Sequence, residues 1–586
     1  MMTEYFEVVG RDGAARLGEL RLADPVTTPG LADELLVDAG SEWVRDREEP
    51  AGSEDVLTVL PHRGLPGGTP DEVAAAFAPV EERASATADP SAVVISSATA
   101  ADYGADAYVL SGARRLDGHG TALQEAIART RRAIPPDTAL YLPGVATPAS
   151  VPLLAYAGVD LVDTDRAVIA GTRGHYLTTE GRTPLDTLTE LPCACPACRT
   201  GLDAFDREDC VDHNVNALEA TLRTVRQRIR DGRLRDYLDG QVRHLPWLTA
   251  GYRSFDEEWA YLEERTPVLR RASLTATTDD ALRRVEIRRF ADRVTTRYRC
   301  RFDAPLVLLP CSARKPYSDS QSHKQFYDAI RHRGHVVSMT SPIGVVPTEL
   351  ELTYPAQHYD AAVTGRWSES EVAFVTTVLD RYLDRTDYPY VVAHVPDEGY
   401  RTVVERATAD RDLSVSVTVA DHPTTTESLG RLDAALDGEP TYSEAERLEH
   451  TIRGIADVQF GDGAGDALFD DPSIVGRYPK LRVDQDGEQV ATLVPQYGTL
   501  AFTIAGARRW VASAAPTLRV AIDDFVPHGN VLAPGIREAS DGIRPGDEVV
   551  VEGPAAFGVG RAEMSGPEME RSTRGVAVDV RHVEEL

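Results

Sequence analysis

Short apolar runs alternate with amphipathic stretches from the start of the chain to about residue 190. Asp106–Leu110 and Ala139–Leu142 are apolar runs of strand length, and Ala122–Arg132 between them has the periodicity of a helix. Strands that alternate with helices in this way usually pair in parallel. We therefore expect a parallel sheet or barrel in this part of the chain.

A second alternation of strands and helices begins near residue 305 and continues to about residue 435. Its apolar runs predict strands at 306–309, 335–339, 390–394 and 414–419. A segment rich in Gly, Glu and Pro at 437–441 marks a linker. The final segment is rich in Val and Gly and has frequent turn signals, so we expect a small β-barrel there.

The composition changes how this pattern is interpreted. The 586 residues carry a formal net charge of −31 and include three lysines, Lys315, Lys324 and Lys480. This balance indicates adaptation to molar salt, where charges are screened beyond about 3 Å. An acidic surface argues against nucleic-acid binding at low salt, but in high salt the positions of the arginines matter more. The Arg-rich stretches 223–243 and 270–301 are either phosphate contacts or solvated, salt-bridged helices.

The cysteines indicate a metal site rather than a disulfide framework. Three of the six form a Cys-x-Cys-x-x-Cys cluster, and an imidazole follows: Cys193, Cys195, Cys198 and His213. Three thiolates and one imidazole are typical of a closed, structural zinc site. Cys210 is the alternative fourth ligand, but we favour His213 because it opens a predicted helix, Val215–Arg230. We find no signal peptide or membrane-spanning run and expect a soluble, cytoplasmic chain with reduced thiols.

The loop at 310–323 is the strongest candidate for chemistry. It follows the apolar run 306–309, and Pro310 ends the predicted strand. Ligands of α/β folds usually bind where a strand opens into such a loop. Its polar side chains are a thiol, an ammonium, a phenol, several hydroxyls and an imidazole, and they include Cys311, Lys315, Tyr317, Ser318, Ser320 and His323. We term residues 310–323 the Cys311 loop.

Several segments resemble tRNA-guanine transglycosylases: 6–18, Ala157–Asp163, the cysteine cluster and the pair His213–Asn214. The resemblance implies a TIM-barrel-like domain with a zinc subdomain. Asp163 matches the family's glycosylating nucleophile, and Gly112 lies in a segment similar to its base-pocket loop. The family's Asp-Ser-Gly motif has only a weak counterpart at Val37–Gly40, so base exchange is not expected, whereas the pocket can still hold a base.

The Cys311 loop and the segment Thr340–Leu350 resemble the archaeosine synthase family, and this similarity extends over nearly the whole chain. The resemblance implies a transferase that acts on tRNA carrying 7-cyano-7-deazaguanine at position 15 of the dihydrouridine loop. Family members add an amine to the nitrile on the way to archaeosine. The amine donor is either lysine, with a radical-SAM partner protein completing the conversion, or an amide such as glutamine. The sequence does not decide between these donors. It also leaves open whether the chain forms a homodimer.

The residues suit this chemistry. A thiolate attacks a nitrile to give a thioimidate, so Cys311 is the candidate nucleophile. Lys315 and His323 are candidates for lowering its pKa and moving protons, and Ser320 and Tyr317 for hydrogen-bonding the developing charge. Lys315 as a phosphate or carboxylate anchor is the alternative. Substrate contacts are expected from Asp163, Gly112, Ser318 and Tyr354.

The end of the chain resembles a PUA domain, a small RNA-binding β-barrel of RNA-modifying enzymes. Within it we expect RNA contacts at Gly529, Gly535, Gly546 and Arg561. The fold class is thus multidomain α/β with a β-barrel at the end. The expected parts are the barrel with its zinc site at 1–300, a second α/β domain at 301–435, an α+β linker domain at 442–512 and the PUA domain at 517–586. A transglycosylase and a non-catalytic tRNA-presenting subunit are the alternative functions.

Overall fold

The computed structural model describes residues 5–41, 52–62, 70, 72–73, 90–362 and 366–586. The chain divides into two compact units. The first is Met1–Thr266 with Leu532–Ile536 and Met564–Ala577, and the second is Pro267–Val531 with Arg537–Glu563 and Val578–Leu586. Within the described ranges, no helix has both the length and the apolar character that crossing a bilayer requires.

The first unit contains the predicted parallel sheet. An antiparallel sheet comes first, with strands β1 Phe6–Asp12, β2 Ala15–Leu20 and β3 Val26–Thr28. The seven parallel strands are β4 Gly30–Leu31, β5 Leu36–Asp38, β6 Leu57–Val59, β7 Ser91–Ile95, β8 Ala107–Leu110, β9 Ala139–Tyr141 and β10 Leu161–Val162. Their order is β4-β10-β9-β8-β7-β6-β5, so the first strand pairs with the last, as in a β/α barrel. No pairing between β4 and β5 is found in the described part, and the sheet stays open there.

A hairpin and a run of helices follow in the same unit. The hairpin strands are β11 His175–Thr178 and β12 Gly181–Pro184. The helices are α1 Gly120–Ala133, α2 Val151–Tyr156, α3 Asp165–Thr172, α4 Arg207–Arg230, α5 Leu234–Gln241, α6 Pro246–Glu257 and α7 Trp259–Arg265. The helix that we expected to begin at Val215 begins at Arg207, because Asp206 and Asp209 form a capping box there. His213 therefore lies inside α4 rather than at its start.

The second unit is built around a five-stranded sheet. Its strands are β14 Leu306–Pro310, β15 His335–Thr340, β16 Gly344–Pro347, β18 Val391–Ala393 and β19 Val415–Val417. The order is β16-β15-β14-β18-β19, with β16 antiparallel to β15 and the other pairs parallel. Residues 306–309 of β14 are buried and apolar without alternation, as expected of a central parallel strand covered on both faces. A separate parallel pair is formed by β13 Leu274–Ala276 and β17 Tyr359–Ala361.

Helices cover this sheet and connect it to the rest of the unit. They are α8 Val285–Thr296, α9 Gln321–Ile330, α10 Glu369–Leu383, α11 Thr402–Thr408, α12 Thr426–Ala435, α13 Glu444–Phe460 and α14 Ala464–Leu468. Serine caps fix two of these starts, since Ser368 and Ser443 each form a capping box with a glutamate three residues later.

Two further sheets end the chain. Strands β20 Ser473–Arg477, β21 Lys480–Gln485, β22 Glu488–Val494 and β23 Thr499–Phe502 form an antiparallel sheet packed by α15 Ile504–Ala512. Strands β24 Arg519–Ile522, β25 Asn530–Leu532, β26 Ile536–Ala539, β27 Glu548–Glu552, β28 Ala556–Ala562 and β29 Val576–Glu585 form the last sheet, with α16 Gly566–Arg571 between β28 and β29. The predicted fold class, multidomain α/β with a β-barrel at the end, is confirmed.

Candidate active site

The Cys311 loop begins at the carboxyl end of β14, the central strand of the five-stranded sheet. The carboxyl ends of the parallel neighbours β15 and β18 lie on the same edge. Side chains that follow three different strands can therefore meet at this point. The loop ends where Ser320 caps α9, with its hydroxyl accepting a hydrogen bond from the backbone N–H of His323.

Cys311 is half-buried and contacts a phenol from the neighbouring strand connection. Its Sγ is 3.3 Å from the hydroxyl of Tyr400. Tyr400 lies in the helical turn Asp397–Arg401, which follows β18. The Tyr400 ring packs against Trp367, with 4.4 Å between ring centroids. A phenol in this position can donate a hydrogen bond to a thiolate or to a group attached to the sulfur.

The Lys315 ammonium lies over an aromatic ring. Its Nζ is 3.8 Å from the centroid of the Tyr359 ring, which is a cation–π geometry. Burial lowers the pKa of Lys315, and the charges of Cys311 and Asp360 oppose this shift. The ammonium is thus close enough to the thiol to interact with it electrostatically, and partial burial makes it easier to deprotonate.

Tyr317 is buried in a chain of hydroxyl groups. Its hydroxyl is 2.7 Å from that of Tyr359, which is 2.8 Å from Oγ1 of Thr340. Burial raises the pKa of Tyr317, so its phenol stays protonated. Cys311, Lys315 and Tyr317 are therefore brought together around two tyrosines, Tyr359 and Tyr400, that the sequence did not single out.

Ser320 and His323 form a separate, buried pair. The Nδ1 atom of His323 is 3.1 Å from the Ser320 hydroxyl, and its Nε2 is 3.2 Å from the hydroxyl of Ser338 on β15. His323 is 0 % exposed, and burial lowers its pKa to about 4. A neutral imidazole with both nitrogens engaged favours a role in positioning the loop rather than the proton transfer that the sequence suggested.

Ser318 anchors the loop to a buried carboxylate. Its backbone N–H donates to Oε2 of Glu351 at 2.9 Å and its hydroxyl to Oε1 at 2.7 Å, and the Tyr478 hydroxyl donates to Oε1 at 2.9 Å. Burial raises the pKa of Glu351. The Ser318 hydroxyl is thus already bonded to Glu351, and the expected contact with substrate would compete with this hydrogen bond.

Tyr354 lies in another part of the same unit. It is 6 % exposed, and its N–H donates to the carbonyl of Tyr497 at 3.0 Å. It lines a small cleft with Phe290, Gln459 and Tyr497, whereas none of residues 310–323 contributes to that cleft. Tyr354 thus lines a cleft that the Cys311 loop does not reach, although its ring belongs to the same hydrophobic cluster as Tyr317.

A second candidate site lies at the carboxyl edge of the parallel sheet in the first unit. Asp163 follows β10, and its Oδ2 accepts from the Tyr141 hydroxyl at 2.8 Å and from the Gly144 N–H at 2.7 Å. Burial raises the pKa of this carboxyl group. Gly112 follows β8 on the same edge with a φ of +71°, and open space surrounds its Cα. This edge therefore combines a held carboxylate with an accessible glycine turn.

The Cys₃His group is assembled as predicted. One ligand atom from each of Cys193, Cys195, Cys198 and His213 lies within 4.8 Å of the others. The Nδ1 atom of His213 is 3.3 Å from Sγ of Cys198 and 3.6 Å from Sγ of Cys195. A tetrahedral zinc ion with ordinary bond lengths would separate sulfur and nitrogen ligands by roughly 3.6 Å. The donor set and its spacing thus fit zinc.

The surroundings of the group also suit a metal. The other His213 nitrogen, Nε2, is 2.9 Å from the Leu177 carbonyl, which fixes the ring with Nδ1 facing the thiols. The Tyr176 ring stacks on His213 with 3.7 Å between centroids. Burial raises the pKa of Cys198 to about 12, so a cation is needed to keep its thiolate. Cys210, the alternative ligand, is fully buried outside this group.

The expected RNA contacts have different surroundings. Gly529 is exposed with a φ of +102° and open space around it, and Gly535 lies in a half-buried 3-10 turn. Gly546 is explained by packing, because a Cβ there would meet Val268 and Leu269 at 3.2 Å. The Arg561 guanidinium lies 5.2 Å from the centroid of the Tyr497 ring. Of the four, Gly529 is the exposed residue.

Many arginines of the two Arg-rich stretches are in ion pairs. The pairs are Arg223–Glu219, Arg233–Asp236, Arg235–Asp256, Arg243–Asp239, Arg270–Glu286, Arg283–Asp280, Arg284–Glu286, Arg299–Asp462 and Arg301–Asp457. This pattern favours salt-bridged structure over phosphate binding for these residues.

Comparison with protein families divides the chain into four matching regions. Residues 84–246 match the model of queuine tRNA-ribosyltransferase, and residues 287–436 match a domain of unknown function, DUF5591. Residues 450–516 match the patch-forming domain C2 of tRNA-guanine transglycosylase, and residues 519–583 match the PUA domain. The fold and these matches define the class: a transglycosylase-related protein with a PUA domain.

Individual relatives make the family specific. The chain is 58% identical over the full length of both proteins to archaeosine synthase of Haloferax volcanii. It is 41% identical, again over the full length of both, to archaeosine synthase subunit alpha of Methanosarcina acetivorans. The tRNA-guanine(15) transglycosylase of Methanothermobacter thermautotrophicus is 27% identical over 78% of this chain and 68% of its own length. The chain belongs to the archaeosine synthase family, which confirms the resemblance found in the sequence.

Proposed function

We infer that this chain is a tRNA-modifying transferase of archaeosine biosynthesis. The observation that carries this conclusion is the 58% identity to archaeosine synthase of Haloferax volcanii along the whole length of both chains. The match to the PUA domain supports tRNA as the substrate, since PUA domains bind RNA. The acidic, lysine-poor composition agrees with a haloarchaeal origin.

The reaction we propose is addition of an amine to the nitrile of 7-cyano-7-deazaguanine at position 15 of the tRNA. The Cys311 thiolate attacks the nitrile carbon, and the nitrogen takes up a proton to give a thioimidate. The incoming amine then adds to the same carbon, and the thiolate leaves. The bond to sulfur is formed and broken once, so the product carries the amine and the cysteine is regenerated.

The surroundings of Cys311 support this assignment. The Tyr400 hydroxyl, 3.3 Å from the sulfur, can donate a hydrogen bond to the nitrogen as negative charge develops on it. Lys315 has a pKa lowered by burial, which suits a group that gives up a proton to the nitrile nitrogen and takes one from the amine. Ser320, His323 and Ser318 hold the loop that presents these groups.

Substrate binding is the other part of the proposal. Asp163 and Gly112 bind part of the tRNA at the carboxyl edge of the first unit's sheet, and the exposed Gly529 contacts RNA in the PUA domain. Lysine or glutamine is the amine donor. A radical-SAM partner protein completing the conversion, a homodimer and a cytoplasmic location belong to the same proposal.

The test uses the purified chain alone. The chain is incubated in high salt with tRNA that carries the nitrile base and with lysine, glutamine or ammonia in turn, and the nucleosides are analysed by mass spectrometry. We expect a mass increase equal to the added amine with one donor. Unchanged nucleosides with every donor would show that the chain presents tRNA to a catalytic partner instead.

Base exchange is the second candidate, because the chain is also 27% identical to a tRNA-guanine(15) transglycosylase. The Asp163 carboxylate accepts hydrogen bonds from the Tyr141 hydroxyl, from the Gly144 N–H and, at 3.2 Å, from the Asp165 N–H. These hydrogen bonds occupy the oxygens that would have to attack a sugar carbon. Incorporation of radiolabelled guanine into unmodified tRNA measures this activity directly. We expect no incorporation of guanine. Asp163→Asn should lower amine addition only as far as it lowers tRNA affinity.

We further propose that the Cys₃His group binds one structural zinc ion. Cys195→Ala should remove the metal and lower the melting temperature, because structural zinc contributes to the free energy of folding. Cys210→Ala is the matched control: it removes a buried thiol outside the group and should keep the zinc. Metal analysis of both variants is the measurement, and well-folded wild-type protein without zinc would contradict the proposal.

A further inference from the structure

A thiol, an imidazole and a carboxylate lie in line at the amino-terminal edge of the five-stranded sheet. Sγ of Cys300 is 3.3 Å from Nδ1 of His335, and Nε2 of the same ring is 3.1 Å from Oε2 of Glu349. Cys300 precedes β14, His335 is the first residue of β15, and Glu349 lies in the 3-10 turn after β16. We term these three residues the Cys300 cluster.

This cluster is separate from the Cys311 loop. His335 pairs with Leu306, the first residue of β14, whereas Cys311 follows the last residue of that strand. Five residues of extended chain span about 16 Å. The two thiols therefore belong to opposite edges of one sheet, and the proposed amine addition uses only one of them.

The contacts within the Cys300 cluster favour the charged forms of its thiol and imidazole. Burial alone would raise the pKa of the Cys300 thiol, but the charge and hydrogen bond of His335 outweigh it and lower the pKa. Burial likewise disfavours the charged form of His335, yet Cys300 and Glu349 raise its pKa to about 10. The close imidazole thus favours a thiolate at Cys300 that faces an imidazolium, with a carboxylate behind the ring.

Phenols and a phenyl ring enclose the pair. The Tyr388 hydroxyl is 2.7 Å from Nδ1 of His335, and the Tyr298 hydroxyl donates to Glu349 at 3.1 Å. The Phe302 ring stacks on His335 with 4.8 Å between centroids. These contacts hold the imidazole in one orientation, so the thiolate keeps its partner without a conformational change.

Access to the cluster is restricted to the sulfur side. His335 is 0 % exposed and Glu349 is 1 % exposed, whereas Cys300 is half-buried. A reagent can therefore reach Cys300 but not the imidazole or the carboxylate. Small molecules meet this requirement.

We propose that the Cys300 cluster is a reactive-thiol site, distinct from the Cys311 loop, at which small uncharged oxidants such as hydrogen peroxide modify the protein. The thiolate attacks one peroxide oxygen, the O–O bond breaks, and the sulfur is oxidised to a sulfenic acid. The peroxide is reduced, and the departing hydroxide takes the proton of the His335 imidazolium to become water.

Several elements that pack against the Cys300 cluster contribute further titratable groups. They are Tyr298 and Arg301 beside Cys300, Tyr382 on α10, Tyr388 before β18, Tyr442 before α13, and His450 on α13. Burial raises the pKa of Tyr298, Tyr382 and Tyr388, so these phenols stay protonated, and burial lowers the pKa of His450. The thiol of Cys300 and the imidazole of His335 remain the groups whose charge the test follows.

The test measures modification of each cysteine in the native full-length protein. Iodoacetamide labels the protein at pH 6 to 8, and peptide mass spectrometry gives the rate for each cysteine. An ordinary thiol reacts about tenfold faster per pH unit below its pKa. We expect Cys300 to gain less than about threefold per unit, and fully buried Cys210, whose pKa burial raises to about 11, to be protected.

Two matched histidine variants sharpen the test. His335→Gln should slow labelling of Cys300 at pH 7 by about tenfold and restore the ordinary pH dependence, because the thiol loses its cationic partner. His450→Gln removes a neighbouring imidazole, which contacts Phe302 with ring centroids 4.5 Å apart, and should leave the rate unchanged. Brief treatment with peroxide followed by dimedone should label Cys300 in the wild type.

Labelling of the wild-type protein alone can overturn the proposal, even if His335→Gln does not fold. Wild-type Cys300 that reacts only after unfolding, or that shows the tenfold-per-unit pH dependence of an ordinary thiol, would overturn the proposal. The same holds if dimedone labels Cys311 but not Cys300. If His335→Gln is folded and reacts as fast as the wild type, the imidazole does not activate the thiol.

Discussion

Cys311 and Cys300 lie at opposite ends of one strand and have opposite surroundings. Cys311 opens a polar loop at the carboxyl edge, where a phenol and an ammonium are its neighbours. Cys300 precedes the amino end and faces a buried imidazole and carboxylate. The two cysteines thus differ in the cation that can support a thiolate. Cys311 has the ammonium of Lys315 in an open polar loop, whereas Cys300 has the buried imidazole of His335.

Among the changes that keep both cysteines, Lys315→Arg has the largest expected effect on this comparison. We expect amine addition to slow by about 100-fold, because arginine keeps the charge but cannot readily exchange a proton. Lys324→Arg is the matched control, since Lys324 is exposed on α9 just beyond the loop. The rate is measured by nucleoside mass spectrometry. Near-normal turnover of Lys315→Arg would show that this lysine is an anion anchor, and the Cys311 edge would lose its proton donor.

Glu351→Gln tests whether the Cys311 loop is held rigidly. Glu351 accepts three hydrogen bonds from Ser318 and Tyr478, and one acceptor oxygen is replaced by a donor in the variant. We expect the free energy of unfolding to fall by about 1–3 kcal/mol. Asp319→Asn, an exposed change in the same loop, should have little effect on chemical denaturation. An unchanged midpoint for Glu351→Gln would mean that the loop does not depend on this anchor.

His323, which contacts Ser338 on β15, is buried in its neutral form, and this gives a pH prediction. Burial lowers the pKa of His323 from 6.5 to about 4, so between these values the unfolded chain binds a proton that the folded chain does not. The free energy of unfolding therefore falls as the pH falls through this window, by up to about 1 kcal/mol per unit from this residue. His323→Gln should flatten that slope, whereas exposed His422→Gln should not. An equal slope in both variants would contradict a neutral, buried His323.

Tyr400→Phe should have the smallest effect. Its hydroxyl is 3.3 Å from Cys311 Sγ, and one hydrogen bond of this kind contributes about 1 kcal/mol. We expect a roughly fivefold loss in the rate of amine addition with no change in tRNA affinity. Tyr390→Phe removes a phenol that contacts Glu439 at 2.9 Å and is the control. If both variants lose the same activity, the Tyr400 hydroxyl has no specific function at the sulfur.

Strands and the metal site could be predicted where the sequence pattern that indicates them lies within a few neighbouring residues. The strands at 306–309 and 335–339 were found because buried parallel strands are continuous apolar runs. The Cys₃His group was found because its three cysteines lie within six residues, which fixes them near one another regardless of the fold. The start of α4 was missed because Asp206 and Asp209 were not recognised as a capping box.

The site was only partly predictable because its contacts join distant residues. Tyr359 and Tyr400 contact loop residues 42 and 89 positions away, and only the strand order brings them together. The rule that carboxyl ends of parallel strands share an edge would have flagged the segment after β18, where Tyr400 lies. The Cys300 cluster was missed because Cys300 and His335 are adjacent only through the pairing of β14 with β15.

The most direct test compares the two cysteines in one reaction. Wild type, Cys311→Ala and Cys300→Ala are each incubated with tRNA bearing the nitrile base and the active donor, and the nucleosides are quantified by mass spectrometry beside tRNA affinity at matched salt. We predict that Cys311→Ala loses amine addition while it binds tRNA normally, and that Cys300→Ala keeps both. Loss of product in Cys300→Ala with near-normal product in Cys311→Ala would contradict the assignment of the reaction to the Cys311 loop.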